Sequence, residues 1–415
     1  MREMKDSGVA WIGEIPKEWE ISLINTLYTV RNTKVSDVDY QPLSVTMKGI
    51  VPQLSTAAKT NAHDDRKLVK KGDFAINSRS DRRGSCGISD YDGSVSLINT
   101  VLSPRNEMNP IYYSWLFHSS EFADEFYRWG HGIVDDLWTT RWQEMRNISI
   151  PVPPLSIQHQ IATYLDQKCT QIGALITNQQ KQIEKLKAYK QSLITETVTK
   201  GLNPDVPMKD SGVEWIGEIP EGWDILQLSS VVTERKHKNI GMIETNLLSL
   251  SYGNVIRKNI NTTDGLLPES FEGYNIIEAG DIVLRLTDLQ NDHKSLRSGL
   301  CTERGIITSA YVTLANRGGT LISEYLHYLL HTFDIYKGFY GMGAGVRQGL
   351  NFDGIKKILL TRPKIEEQQA IVSYLDQKCT QIDSLIAIKQ RKIEKLQQYK
   401  KSVIYEYVTG KKEVK

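Results

Sequence analysis

Two long stretches of the chain repeat their apolar residues with the spacing of a coiled coil. The first stretch has two rows seven residues apart, Leu165, Ile172, Leu186 and Leu193 in one and Cys169, Ile176 and Ile183 in the other. The second stretch repeats these rows as Leu375, Ile382, Leu396 and Val403, and as Cys379, Ile386 and Ile393. Rows with this spacing occupy the a and d positions of a coiled coil. The pattern therefore predicts long helices over residues 158–200 and 368–410.

We expect the two helices to pack against each other, antiparallel and within one chain, because they are equal in length and occupy equivalent places. The polar residues Gln179 and Lys389 interrupt the same row of each helix. One polar residue in such a row can fix the register and orientation of a helix pair. Two alternatives remain open: each apolar stripe packs on its own globular domain, or the helices pair between chains.

The segments before the helices alternate turn signals with short apolar runs, which is typical of mixed α and β structure. Lys71-Gly72-Asp73 precedes the run FAIN, and Ala279-Gly280-Asp281 precedes IVLRL, so each predicts a turn followed by a strand. Further strand candidates, SVSLINTVLSP and GIITSAYVTLAN, are each followed by an aromatic helical stretch, at 111–129 and 322–339. The order of elements is the same twice, which predicts two versions of one α+β domain.

An internal repeat frames these two segments. Met4–Ile21 and Met208–Ile225 match at 14 of 18 positions, and Tyr164–Ile172 recurs unchanged as Tyr374–Ile382. The chain therefore runs constant, variable, constant, twice over, which predicts a pseudo-twofold internal repeat. The tryptophans of the first motif are predicted to fasten each domain to the helices: Trp11, Trp19, Trp215 and Trp223.

Composition limits the classes of function. The 51 Lys and Arg residues nearly balance the 49 Asp and Glu residues, for a formal net charge of +2. This excludes a general electrostatic coat for nucleic acid but permits a DNA reader with local basic patches. The four cysteines form no C-x-x-C pair, and no apolar run is long enough to span a membrane. We expect a soluble, cytoplasmic protein with reduced thiols and no membrane partner.

Catalytic motifs are missing from the sequence. It contains no G-x-x-x-x-G-K-[ST] phosphate-binding loop. His327 and His331 are four residues apart but lack the glutamate of an H-E-x-x-H zinc motif, so we interpret them as a structural or solvent-facing pair. No catalytic residue and no metal ligand is predicted.

Two pairs of predicted loops instead carry mixed hydrogen-bonding groups. Arginine side chains bind guanine edges, amide side chains bind adenine edges, and phosphate contacts fix the position of the protein on the duplex. Loops that mix these groups are therefore suited to recognising base edges. The candidate DNA-binding residues of the first copy are Asn77, Ser78, Arg79, Ser80, Arg82, Arg83, Thr140 and Arg141. Those of the second copy are Arg285, Thr287, Asn291, His293, Lys294, Arg347 and Gln348. From charge alone a solvated loop with internal ion pairs is favoured, because residues 22–157 hold 15 basic and 15 acidic side chains.

The whole pattern resembles the specificity (S) subunit of type I restriction–modification enzymes. The resemblance rests on the duplicated K-D-S-G-V-x-W-I-G-E-I-P-x-x-W, on PPLSIQHQI at the entry to the first helix, and on the duplicated Y-L-D-Q-K-C-T-Q-I helix. It covers essentially all 415 residues. The second helix entry departs from the first, reading RPKIEEQ from Arg362 to Gln368.

This resemblance implies two target recognition domains, each reading one half of a split double-stranded DNA sequence, joined by two antiparallel helices. The implied domains are 1–157 (with the repeat motif at 4–21) and 201–367 (with the motif at 208–225), the helices 158–200 and 368–410, and a tail at 411–415. It further implies two methyltransferase subunits that use S-adenosylmethionine and restriction subunits that need ATP and Mg²⁺. The chain would hold no cofactor of its own and would not be an enzyme.

Two alternatives belong to other classes of protein. One is a coiled-coil dumbbell that acts as a protein-interaction scaffold without binding DNA. The other is an enzyme whose site carries no recognisable motif.

Overall fold

The computed structural model describes residues 2–54, 63–79, 83–132, 138–260, 268, 270–289, 296–342 and 349–414. The chain forms two compact units. Unit 1 comprises Met1–Gln180 and Gln390–Lys415, and unit 2 comprises Lys181–Lys389. There are two long helices, α5 (Leu155–Lys200) and α9 (Ile365–Val408), and each has one part in unit 1 and one part in unit 2. The predicted domain boundaries stay a prediction.

The other elements of unit 1 precede α5. Its strands are β1 (Met4–Asp6), β2 (Glu14–Pro16), β3 (Glu20–Leu23), β4 (Tyr28–Val30), β5 (Lys34–Val35), β6 (Leu43–Thr46), β7 (Gly49–Pro52), β8 (Arg66–Val69), β9 (Phe74–Asn77), β10 (Cys86–Ile88), β11 (Gly93–Ser96), β12 (Asn99–Pro104) and β13 (Ser149–Val152). Its short helices are α1 (Ile24–Leu27), α2 (Pro110–Phe117), α3 (Ser120–Arg128) and α4 (Trp142–Met145).

The other elements of unit 2 lie between the two long helices. Its strands are β14 (Met208–Asp210), β15 (Glu218–Pro220), β16 (Asp224–Gln227), β17 (Val232–Glu234), β18 (Leu248–Ser251), β19 (Asn254–Arg257), β20 (Asn275–Ile277), β21 (Ile282–Leu284), β22 (Ser298–Leu300), β23 (Gly305–Ile307), β24 (Val312–Asn316) and β25 (Leu359–Arg362). Its helices are α6 (Leu228–Val231), α7 (Ser323–Ile335) and α8 (Phe352–Ile355), with 3-10 turns at Ile240–Met242 and Gly338–Gly341.

The long helices pair antiparallel inside each unit, which confirms the predicted intrachain pair. In unit 1 the rings of Tyr164 and Tyr407 lie 4.3 Å apart between their centroids. In unit 2 the Lys190 ammonium lies 2.7 Å from an oxygen of Asp383. Unit 1 also places the Lys168 ammonium over the Tyr399 ring, and in unit 2 Lys389 donates to the Gln182 side chain. Within each unit the residue numbers therefore rise along α5 as they fall along α9, as antiparallel packing requires.

Both long helices begin three residues earlier than the sequence pattern predicts, and a glutamine accounts for the entry of each. The Gln158 side chain donates to the Pro153 carbonyl oxygen at 2.8 Å and accepts from the Asn109 N–H at 2.9 Å. Gln368 likewise donates to Pro363 and accepts from the N–H of Ile322, both at 2.9 Å. The two accepted N–H groups belong to the N-cap residues of α2 and α7, where helix termini leave N–H groups without intrahelical partners.

The two variable segments have the same fold despite their different sequences. Unit 1 has a four-stranded sheet in the order β10-β9-β12-β4, and unit 2 has its counterpart as β22-β21-β24-β17. One ion pair marks the same place in both sheets. Arg31 contacts Asp73 at 2.6 Å in unit 1, and Arg235 contacts Asp281 at 2.9 Å in unit 2.

Four predicted elements divide in the structure. The run SVSLINTVLSP forms two strands, β11 and β12, and GIITSAYVTLAN forms β23 and β24, because a turn interrupts each run. The aromatic stretch 111–129 forms two helices, since the Ser119 hydroxyl accepts the N–H of Phe122 and caps α3. In unit 2 the equivalent stretch forms α7 and a 3-10 turn.

The tryptophans of the repeat motif fasten each domain to a helix end, as predicted. In unit 1, Trp11 and Trp19 share a core with the α9 residues Ile404 and Val408. At Gly410, where φ is +71°, a Cβ atom would lie 2.5 Å from Pro16, so glycine suits this tight helix end.

In unit 2, Trp223 shares a core with the α5 residues Ile194 and Val198, and Trp215 packs against it. The motif at 4–21 therefore packs against the C-terminal end of α9, and the motif at 208–225 packs against the C-terminal end of α5.

Candidate nucleic-acid interface

The structure brings the two candidate loops of unit 1 together at one end of β9. The N–H of Thr140 donates to the Ser78 carbonyl oxygen at 2.9 Å, and Arg79 forms an antiparallel bridge with Thr139. The Thr140 hydroxyl also donates to the Phe126 carbonyl oxygen at 2.7 Å. Two segments about 60 residues apart in sequence thus form one continuous surface.

The side chains at this junction divide into a buried and an exposed group. Asn77, Ser78 and Thr140 are only 4%, 7% and 2% exposed, so their side chains support the loops from below. The Asn77 carboxamide accepts the N–H of Arg79 at 2.9 Å. Arg79, together with Arg83 and Arg141 nearby, is exposed to solvent. These arginines are the groups available to a ligand.

Aromatic rings extend the surface beside the arginines. The Arg83 guanidinium lies 3.6 Å from the centre of the Tyr127 ring, which is a close cation–π contact. The rings of Tyr127 and Trp138 stack with their centroids 5.3 Å apart. The cavity behind these rings has a volume of about 20 Å³, room for one water molecule. A nucleic acid would therefore contact the surface here, not a deep pocket.

Unit 2 joins its two candidate loops by the same kind of bond. The N–H of Leu350 donates to the Leu286 carbonyl oxygen at 2.9 Å. Thr287 is exposed, whereas Arg285 is half-buried. The backbone arrangement at the end of β21 is therefore the same as at the end of β9, but different side chains are exposed to solvent.

The comparisons with known proteins agree with one another. Residues 16–185 match the family model described as the type I restriction modification DNA specificity domain. The chain is 26% identical over 426 residues to the type I restriction enzyme MjaVIII specificity subunit of Methanocaldococcus jannaschii, covering 97% of this chain and 94% of the relative. It is 24% identical over 443 residues to a protein of the same organism described as the MjaX specificity subunit, covering 97% and 96%. The chain is thus similar to type I specificity subunits over nearly its whole length.

A solved structure gives the same result for the fold. It concerns complex assembly and conformational transition of the type I restriction–modification system, and its matching chain aligns with 95% of this chain and 98% of its own length at a TM-score of 0.71 and 13% identity. The resemblance that the sequence motifs indicate is confirmed. The scaffold alternative gains no support from these relatives.

Sequence reasoning missed a residue that lies beneath the second surface. Arg297 is fully buried, and its guanidinium donates to the Thr287 carbonyl oxygen at 2.7 Å. The sequence carries one weak signal for it: Arg297 directly precedes the short run Ser-Gly-Leu that forms β22.

Seven candidate residues lie outside the described part of the chain: Ser80, Arg82, Asn291, His293, Lys294, Arg347 and Gln348. Their proposed contacts with DNA stay predictions. Within the described residues, no group of three or more His, Cys, Asp or Glu side chains is arranged to hold a metal ion. Among the same residues, no helix combines the length and apolarity that crossing a bilayer requires.

The histidine pair and the cysteines are internal. His327 and His331 lie side by side on α7, half-buried, with ring centroids 6.1 Å apart and with His327 Nε2 and His331 Nδ1 shielded from solvent, so the structural interpretation of the pair is confirmed. All four cysteines are buried and unpaired. Burial raises the pKa of the Cys86 thiol, which keeps it protonated and unreactive at neutral pH.

Proposed function

We propose that this specificity subunit reads a bipartite, asymmetric DNA sequence for a type I restriction–modification complex. One observation carries the proposal: each unit joins two donor-rich loops at the same end of its central sheet through an equivalent backbone bond. Thr140 makes that bond to Ser78 in unit 1, and Leu350 makes it to Leu286 in unit 2. Each such surface is a target recognition domain for one half of the site.

Different side chains on an equivalent framework fit an asymmetric site. The exposed Arg79, Arg83 and Arg141 of unit 1 offer guanidinium forks, which bind guanine edges or phosphates. Unit 2 exposes the short polar residues Thr287 and Asp288 at the corresponding loop. Because hydrogen-bond donors and acceptors differ between the two loops, the two half-sites would differ in sequence.

The repeated segments of the chain, 4–21 with 208–225 and 164–172 with 374–382, form a constant frame. Two copies of one partner could bind to such a frame in the same way. The repeated helix and tryptophan motif would offer matching docking surfaces to two methyltransferase subunits, and through them to restriction subunits. Those partners would supply the S-adenosylmethionine, ATP and Mg²⁺ chemistry. The proposed role of this chain is recognition of double-stranded DNA in the cytoplasm, without catalysis of its own.

Co-expression with the methyltransferase subunit tests the recognition role. The purified complex should retard a duplex that carries its methylation site, and excess random duplex should not displace it. Sequencing of modified bases should reveal one split sequence that is lost when this gene is deleted. Binding that random duplex abolishes, or modification independent of the gene, would contradict the proposal.

A second experiment tests the absence of catalysis. The partner-free chain, incubated with S-adenosylmethionine and DNA, should transfer no methyl group, and it should leave DNA uncut when ATP and Mg²⁺ are added. Methyl transfer by the isolated chain would show that it carries a catalytic site.

A further inference from the structure

Arg297 lies beneath the candidate recognition loop of unit 2 and binds its backbone. The guanidinium Nη1 donates to the carbonyl oxygens of Arg285 at 3.1 Å and Thr287 at 2.7 Å. The Nη2 atom donates to the Asp288 carbonyl oxygen at 3.3 Å, and Nε donates to the Tyr340 hydroxyl at 3.1 Å. One side chain thus joins three loop carbonyls to the 3-10 turn after α7.

In the loop that Arg297 contacts, two exposed residues lie between two buried leucines. Leu286 and Leu289 are buried in the core, whereas Thr287 and Asp288 between them are exposed. Asp288 has a φ of +56°, a left-handed backbone conformation that non-glycine residues adopt at a cost. The surrounding structure must hold such a conformation, and the bond from Arg297 to the Asp288 carbonyl does so.

Packing alone does not account for an arginine at this position. Arg297 is 0% exposed, and burying a charged group is costly unless its hydrogen bonds and charge are satisfied. Asp334, only 1% exposed, accepts the Arg297 N–H at 2.6 Å and brings a carboxylate next to it. An apolar side chain would fill the same space, and folding would not have to remove water from a charged group. The arginine is therefore explained by what it binds, which is the loop.

The equivalent position in unit 1 holds a small residue. Asn77 donates its N–H to Ser85 at 2.9 Å, just as Arg285 donates its N–H to Arg297 at 2.8 Å, so Ser85 and Arg297 correspond. Unit 1 instead places the exposed Arg83 over Tyr127. The buried guanidinium beneath the loop therefore distinguishes unit 2 from unit 1.

We propose that Arg297 is a positioning residue for the half-site that unit 2 reads. It contacts no DNA itself, and it orders the backbone of residues 285–288 so that Thr287 and Asp288 meet the base edges in one geometry. This inference rests on the proposed function. It predicts that base discrimination in one half-site depends on a side chain that DNA never touches.

The test uses the complex with the methyltransferase subunits. Exchanging residues 226–367 for the segment of a relative first identifies the half-site that unit 2 reads. Affinities are then measured for duplexes with single base changes in either half-site, with Arg297→Lys, Tyr340→Phe and the matched control Arg235→Met. Arg235 binds Asp281 at the opposite end of β21, away from the loop. Thermal unfolding of every variant accompanies the binding measurements.

We expect Arg297→Lys to reduce discrimination in the unit 2 half-site about tenfold and to leave the other half-site unchanged. A lysine keeps the charge but has a single nitrogen, which cannot reach three carbonyls in the arginine's planar fork. Tyr340→Phe, which removes one acceptor and keeps the ring, should shift discrimination in the same direction by a smaller factor. Arg235→Met should lower the unfolding temperature without changing base preference.

Two results would overturn the proposal. In the first, Arg297→Lys and Tyr340→Phe unfold at lower temperature yet discriminate bases as the unmodified complex does, so that Arg297 serves stability alone. Equal loss of discrimination in both half-sites would likewise refute a local positioning role. An unmodified complex without any split-sequence preference would instead refute the proposed function, and the role of Arg297 with it.

Discussion

The guanidinium carbon of Arg83 lies 3.6 Å from the centre of the Tyr127 ring. The same guanidinium is 3.6 Å from a carboxylate oxygen of Asp124. The ring and the carboxylate both restrict an exposed arginine to one region of the surface. Cation–π contacts at exposed sites contribute about 0.5–1 kcal/mol. Arg83 is therefore oriented before any ligand arrives.

Removing this arginine should weaken DNA binding. We expect Arg83→Ala to reduce the affinity of the methyltransferase complex for its site by about 1–3 kcal/mol if Arg83 reads a base, with relaxed preference at one position. A phosphate contact would weaken all sequences alike and lower the salt dependence. Titration of matched and singly altered duplexes at two salt concentrations separates these results. Lys71→Ala, an exposed cation at the other end of β9, serves as the control and should have no effect.

Arg79 should behave as a second contact on the same surface. Its backbone is fixed by the bond to Asn77 and the bridge to Thr139, while its side chain is exposed. We expect Arg79→Ala to weaken binding with an unchanged unfolding temperature, because no buried group is lost. Sequencing of modified sites should then show whether one base position has relaxed. Full affinity in both Arg79→Ala and Arg83→Ala would contradict the placement of the interface here.

Exchange of one variable segment should change one half of the recognised sequence. Replacing residues 22–157 by the segment of a relative keeps the constant frame, so we expect the complex to assemble and to retain the other half-site. Mapping modified bases across a genome measures both halves at once. A change in both halves, or in neither, would show that the units do not read DNA separately.

The hydroxyl of Tyr325 should stabilise unit 2. It donates to the Val198 carbonyl oxygen at 3.0 Å and lies 2.8 Å from the Thr361 hydroxyl, with all three groups buried. Removing one partner of a buried hydrogen bond costs about 1–3 kcal/mol. We therefore expect Tyr325→Phe to lower the free energy of unfolding by this amount in urea titration. Tyr252→Phe, at a tyrosine that is 84% exposed, should leave it unchanged.

Acid should destabilise unit 2 through its histidine pair. Burial lowers the pKa of His327 to about 4, and burial together with the neighbouring His327 and Lys190 lowers the pKa of His331 to about 4. Because an unfolded histidine titrates near 6.5, the unfolded state binds more protons between these values. Stability is thus complete above about pH 6.5 and falls as the pH drops towards 4, because each histidine binds a proton more readily in the unfolded chain.

The measurement is urea unfolding as a function of pH. We expect the double variant His327→Gln/His331→Gln to show a smaller loss of stability between pH 6.5 and pH 4 than the unmodified chain. His237→Gln, which changes an exposed histidine of the same unit, should retain the full loss. Equal slopes in all three proteins would show that other groups control the acid transition.

The constant frame was predictable from the sequence because its signals are local or repeated. The heptad rows of Leu165 and Leu375 define the helices wherever they pack, since a seven-residue spacing returns each side chain to the same face. Near-identical motifs at Met4–Ile21 and Met208–Ile225 indicate equivalent environments, and both motifs do hold a helix end. The same signals carry the resemblance to type I specificity subunits.

The recognition surface was predictable only in part, because exposure is a property of three-dimensional packing. Asn77, Ser78 and Arg79 are adjacent polar residues in the sequence, yet packing around the end of β9 buries the first two and exposes the third. Their contact with the Thr139–Thr140 segment depends on long-range packing that no local pattern encodes. The sequence by itself determined the two helices, the repeat and the resemblance to type I specificity subunits, through periodicity and repeated motifs. Only the tertiary structure decided that Arg297 lies beneath its loop, because burial of a charge depends on which distant carbonyls, hydroxyls and carboxylates converge around it.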